Sequence, residues 1–389
     1  MPTLRLPDAA GTLAPYRLAG TPLVPPAGPH RFDRIAIAAA HVVADPLSAA
    51  EPEAGPAIDW EATLAFRRHL LDLGLGIAEA MDTAQRGMGL DWPGAQELIR
   101  RSLAAAAPDE RGRIFSGVGT DQLAPADAAT LDDVIAAYLE QLHAVQALGG
   151  RVILMASRAL ARVARTPDDY AHVYARVLAE AERPVILHWL GEMFDPALRG
   201  YWGGCDFAAT METALAIIGA DSAKVDGIKI SLLDAGKEVT MRRRLPAGVR
   251  MYTGDDFNYP DLIRGDDTGF SDALLGIFDP IAPAASAALA ALARGDLAEY
   301  DRLFGPTVPL SRLIFRAPTR HYKTGVVFLA WLNGFQDHFV MLGGAQSMRP
   351  LPYFAEAFRL ADRAGLLRDP ELAVDRMRRL LALYGVSDA

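Results

Sequence analysis

What this chain has little of narrows its class first. Cys205 is its one cysteine in 389 residues. No disulfide can form within the chain, which fits a reducing, cytoplasmic setting. The start, Met1-Pro2-Thr3-Leu4-Arg5-Leu6-Pro7, has neither the charged head nor the apolar core of a signal peptide. Charges and prolines interrupt every run approaching about 18 apolar residues, so no membrane span is expected. Positive charge is not in surplus: 39 Lys and Arg stand against 48 Asp and Glu, a net charge of −9. That balance argues against nucleic acid as the main partner. No HxH or HExxH spacing points to a metal, and no glycine-rich phosphate loop follows the first apolar run.

What remains is a chain with ample means to bury a core, 51% hydrophobic and 22% charged. Residues 1–30 are rich in proline and glycine and read as an irregular arm, or a small hairpin. Eight short apolar runs follow, at 34–38, 76–80, 113–117, 151–155, 184–188, 227–231, 249–253 and 268–272. Helical patterns separate them. In Thr130 to Leu148, for example, Leu131, Val134, Ile135, Tyr138, Leu139, Leu142 and Val145 recur at spacings of three and four. Strands alternating with helices predict parallel pairing through crossover helices. Eight such units predict an α/β fold, a (β/α)₈ TIM barrel over residues 31–283. An open doubly wound sheet is the rival, and the missing phosphate loop counts against it. From Ala284 to the end the pattern is helical only, a C-terminal helical extension over 284–389.

In such a barrel the chemistry sits at the carboxyl ends of the strands. Lys229 lies inside the sixth apolar run, Gly227-Ile228-Lys229-Ile230-Ser231. A buried ammonium is costly, so the amine is expected to be neutral and nucleophilic, or else paired. A lysine reaching the rim or bridged to Asp226 fits the residues equally well. His188, followed by Trp189, ends the fifth run and offers a proton carrier. Asp82 and Thr83 after the second run read as substrate-binding groups or as turn caps. Gly119 and Thr120 after the third run allow close backbone approach. Arg158 after the fourth can clamp a carboxylate or phosphate, or simply open the next helix. Asp255 and Asp256 after the seventh, with Ser231 on the sixth, complete the candidate set. Glu79, Asp82, His188 and Asp255 are also of metal-ligand type.

Several of these segments together resemble the dihydrodipicolinate synthase and N-acetylneuraminate lyase family of class I aldolases. Gly227-Ile228-Lys229-Ile230-Ser231 resembles that family's strand-six motif, and Gly117-Val118-Gly119-Thr120 its strand-three Gly-x-Gly. Tyr252-Thr253-Gly254-Asp255-Asp256 is similar to its strand-seven Gly-Asp-Asp, Gly269-Phe270-Ser271-Asp272 to its strand-eight turn, and Arg294-Gly295-Asp296 to its Gly-Asp after the barrel. The resemblance covers about residues 31–365 and implies that Lys229 forms an imine with a small carbonyl substrate, a keto acid or keto sugar, with no cofactor. It also implies a homo-oligomer, a dimer or tetramer. Two motifs depart. Ala80-Met81-Asp82-Thr83-Ala84 stands where the family's Gly-Thr-Thr-Gly-Glu grips a 2-oxo acid's carboxylate, and His188 replaces the strand-five tyrosine. The chain thus looks like an outlying branch, with imidazole in the phenol's place. The expected function is Schiff-base aldol or lyase chemistry. A metal-dependent sugar isomerase or epimerase using Glu79, Asp82 and His188, and a barrel that binds without catalysis, are the alternatives.

Overall fold

The computed structural model describes residues 2–8, 10–25, 31–49, 51 and 54–386. Pro26, Gly28 and Pro29 of the proline-rich segment, and residues 387–389 of the helical extension, lie outside them. The described residues form two compact units: residues 34–40 with 76–276, and residues 1–33 with 41–75 and 277–389.

The first unit is a closed barrel of eight parallel strands. In chain order they are Ala36–Ala39, Gly76–Glu79, Ile114–Val118, Arg151–Leu154, Val185–Leu190, Val225–Ser231, Arg250–Thr253 and Asp272–Leu275. Each pairs with its neighbour in order, and the eighth returns to the first through Ala273 and Ala36. Alternate residues of a strand point to opposite faces. Ile37, Ala39, Ala78, Phe115, Ile153, Ile186, Tyr252 and Leu274 therefore meet inside as one buried cluster. The crossover helices begin where the sequence supplies a cap. Thr130 accepts from Asp133 N while the Asp133 side chain returns to Thr130, and Asp91, Asp206 and Asp234 cap three more helices.

Seven of the eight expected strands fall within a few residues of place. The eighth is displaced: 268–272 is mostly turn, and the strand is Asp272–Leu275. The Asp266 carboxylate accepts the Thr268 N–H, and Gly269, at φ 147°, turns the chain. Only the apolar Ala273-Leu274-Leu275 then remains to enter the wall.

The second unit contains an antiparallel pair, Thr3–Pro7 with Leu13–Arg17, so the arm is partly a hairpin. It is fastened to the helix Leu351–Arg363. Tyr16 Oη donates to Asp362 at 2.7 Å, and the Ala19 and Gly20 amides donate to the same carboxylate at 3.0 Å. Leu297–Phe304, Thr307–Ile314 and Tyr322–Leu332 are among the helices of the C-terminal extension. Every residue of Tyr322–Leu332 is buried. A His41–Asp279 pair, Nδ1 to Oδ2 2.8 Å, is fully buried in this unit.

Candidate active site

Lys229 sits two residues before the end of strand six, 7% exposed. Register pairs it with His188 on strand five and Tyr252 on strand seven. His188 is two residues beyond the interior Ile186, so both polar side chains enter the barrel in one layer. Asp226 is not the lysine's partner, as the sequence left open. Its carboxylate takes Arg151 at 3.2 Å, Arg250 at 2.9 Å and Tyr252 Oη at 2.6 Å, three residues earlier on the strand.

Two glycines make room for this layer. A Cβ on Gly227 would stand 2.6 Å from the Arg250 carbonyl and 2.7 Å from the Tyr252 ring. One on Gly254 would stand 2.4 Å from Ser231 Oγ and 2.9 Å from Lys229 Cε. Gly254, just past the end of strand seven, therefore leaves the space through which the lysine side chain runs.

Burial pushes Lys229 below the ordinary lysine range, against the opposing pull of Asp256 and then Asp82. Burial, and after it Lys229, push His188 well below its ordinary value. The imidazole is thus neutral. Its Nε2 lies 3.2 Å from Ser231 Oγ. Its Nδ1 is buried without a hydrogen-bond partner among the described residues.

His188 opens onto a cavity of about 350 Å³. Asp82, Gly119, Thr120, Ser157, Arg158 and Arg86 also line it, with Met155, Leu190 and Leu198 as apolar wall. Thr120 Oγ1 and Ser157 Oγ are 2.6 Å apart. The Gly119 amide is spent on Gln141 Oε1 at 2.7 Å, so its contribution is space rather than a donor. Thr83 is 1% exposed, and neither it nor Lys229, Ser231 or Asp256 is among the residues lining this cavity, which reaches the lysine's layer through His188. Asp255 is a cap. Its carboxylate accepts Phe257 N, Asn258 N and Asn258 Nδ2 at 2.7–3.1 Å, so it organises the turn that carries Asp256.

Glu79 belongs to neither cavity nor metal set. It faces the helix behind strand two and accepts Ser102 Oγ at 2.6 Å and the Ala80 amide at 2.9 Å. Among the described residues no three His, Cys, Asp or Glu side chains converge as a metal site, and no helix is long and apolar enough to cross a membrane.

Sequence reading missed the strut beside the cavity. Arg86 is 6% exposed. Its Nε and Nη2 grip Asp121 at 2.8 and 2.7 Å, Nη1 reaches the Ala80 and Gly117 carbonyls at 3.0 Å, and Nη2 reaches Gln141 at 2.7 Å. These partners are up to 55 residues away in sequence, and no local pattern encodes them.

The comparisons agree with the barrel fold. A putative dihydrodipicolinate synthetase from Pseudomonas aeruginosa is 16% identical at TM-score 0.65, covering 85% of this chain and 99% of that one. A prophage protein of the dihydrodipicolinic acid synthase family from E. coli K12, solved with pyruvate, is 15% identical at TM-score 0.66, covering 86% and 99%. The Thermotoga maritima dihydrodipicolinate synthase is 16% identical at TM-score 0.63, covering 87% and 100%. At such identity the likeness is one of fold. No curated protein matches. A family model described as "Protein of unknown function (DUF993)" matches residues 4–386. The chain therefore belongs to the DUF993 family, built on a barrel like that of the dihydrodipicolinate synthases.

Proposed function

We propose that this protein is a class I aldolase or lyase whose Lys229 forms an imine with a small carbonyl substrate. One observation carries the reading: a lysine 7% exposed, in register with a buried neutral histidine, with a glycine in place of any side chain over its Cε. Desolvation supplies the neutral amine that attack requires.

The Lys229 Nζ lone pair adds to the carbonyl carbon, and the carbinolamine loses water to give an iminium. The iminium draws in the electron pair of the bond breaking at the adjacent carbon, leaving an enamine. His188 accepts the proton released from the departing fragment's hydroxyl and is the group placed to return one to the enamine. Asp256 and Asp82 stabilise the cationic iminium as they do the ammonium. Thr120, Ser231 and Arg158 are the substrate-binding groups of this reading, and Asp255 acts through its turn.

Borohydride reduction in the presence of ketones, followed by peptide mass spectrometry, tests it. A reduced adduct on Lys229, absent in Lys229→Met, is expected. An unmodified Lys229 across keto acids and keto sugars refutes it.

A further inference from the structure

We infer that the carbonyl substrate carries an oxyanion, a phosphate or carboxylate, remote from its reacting carbon, and that Arg158 binds it. The inference deepens the imine reading and rests on it.

Two arginines line the cavity, and their hydrogen bonds separate them. A guanidinium has five N–H donors. Arg86 spends its donors on Asp121, Gln141 and the carbonyls of Ala80 and Gly117, so it has none for a ligand. Arg158 spends one. Its Nε donates to Asp195 Oδ2 at 2.5 Å, and Asp195 is itself held by the Ala197 amide on Oδ1 at 3.1 Å. Neither terminal nitrogen of Arg158 has a protein acceptor among the described residues. Gly87 leaves the space beside them open: even an added Cβ would stand 3.6 Å from Nη1.

The neighbouring hydroxyls are held within the protein. Thr120 Oγ1 and Ser157 Oγ share a single hydrogen bond, and Ser157 Oγ already accepts the Leu160 amide at 2.9 Å. Ser157 is also hydrogen-bonded to the Tyr138 hydroxyl, so both hydroxyl protons have protein partners and the open donors here are those of Arg158. Arg158, Ser157 and Thr120 line the cavity together. The spare capacity of this group is therefore donors. A polyol chain needs acceptors as well as donors; an oxyanion needs donors alone.

The acids of the cavity do not oppose this. Asp121 and Asp195 are paired with Arg86 and Arg158, and Asp82 acts on Lys229. Arg158's charge is shared with Asp195, so the bound oxyanion gains from directed hydrogen bonds more than from net charge.

The test uses two matched pairs of ketones with borohydride at limiting concentration. Dihydroxyacetone is compared with dihydroxyacetone phosphate, and 2-pentanone with levulinate. The readout is the adduct on Lys229. In the wild type the anionic member of at least one pair labels about tenfold or more better than its neutral partner. Which pair shows the gain tells phosphate from carboxylate. Arg158→Gln removes the preference, and a Tm and far-ultraviolet circular dichroism spectrum like the wild type's show an intact barrel. Arg158→Lys keeps part of the preference, and Asp195→Asn weakens it. Equal labelling within both pairs overturns the oxyanion while leaving the imine standing. A preference that survives in Arg158→Gln overturns the assignment to Arg158. No adduct with any of the four ketones overturns the imine reading, and this inference with it.

Discussion

Glu238 offers the sharpest physical test of the barrel. It lies in the first turn of the helix after strand six, 1% exposed. Ser271 Oγ donates to its Oε1 at 2.7 Å, and its Oε2 is buried without a partner among the described residues. Burial pushes this carboxyl from 4.5 to about 8, against the Ser271 and Thr253 hydroxyls; Asp255 raises it further and Arg242 opposes. A raised carboxyl binds its proton more tightly in the native state than in the unfolded one. Its contribution to stability is therefore complete below pH 4.5 and is lost as pH rises through about 8. Within that window the slope is about 1.4 kcal/mol per pH unit. Over the whole window the loss is of order 5 kcal/mol, an upper figure because local relaxation and water entry lessen it. Glu238→Gln keeps the shape and the acceptor but cannot ionise. Urea unfolding of variant and wild type, at intervals from pH 5 to 9, isolates this group, since all others titrate in both proteins. The two proteins are expected to be close at pH 5, with the variant gaining about 1 kcal/mol per pH unit up to pH 8. A difference independent of pH would falsify the assignment of a proton to this buried carboxyl.

Other consequences are equally direct. Gly254→Ala places a methyl against Ser231 Oγ, the Ile230 carbonyl and Lys229 Cε. It should cost about 1–3 kcal/mol by overpacking, seen as a lower Tm, and suppress borohydride adducts on Lys229; full labelling would contradict the packing argument. Arg86→Gln strips partners from Asp121, Gln141 and two carbonyls. A loss of about 3 kcal/mol in urea unfolding is expected, and a change under about 1 kcal/mol would show the strut to be incidental. His188→Phe should leave imine trapping intact while slowing turnover of the trapped ketone by about 10²-fold or more. Because His188 is held well below its ordinary value, wild-type turnover should show no limb attributable to it near pH 6.5; such a limb, abolished in His188→Phe, would place a charged imidazole in the resting site.

The alternation of apolar runs with amphipathic stretches was enough to specify the barrel, because parallel strands buried on both faces must read as short apolar segments. It specified the lysine's strand for the same reason. Where local chemistry competed, the pattern misled. Thr268 to Asp272 stood in the eighth place of the alternation, but the Asp266 carboxylate and Gly269 close a turn there first. Side-chain direction was less legible still. Glu79 and Lys229 both lie in apolar strands, yet Glu79 meets Ser102 behind the wall and Lys229 enters the interior. Which face a strand residue takes is set by register across the closed sheet, a property no single segment contains.

The sequence by itself therefore determined the alternation of strands and helices, the helical character after it, and a lysine inside the sixth strand. Only the tertiary structure decided which groups share that lysine's space. It paired Asp226 with Arg151, Arg250 and Tyr252 rather than Lys229. It turned Asp255 into a cap and made Arg86 a strut, while leaving Arg158 with donors to spare. The physical reason is that periodicity records burial, which each segment carries locally. Hydrogen-bond partnership depends on which distant atoms arrive within about 3 Å, and folding alone brings them there.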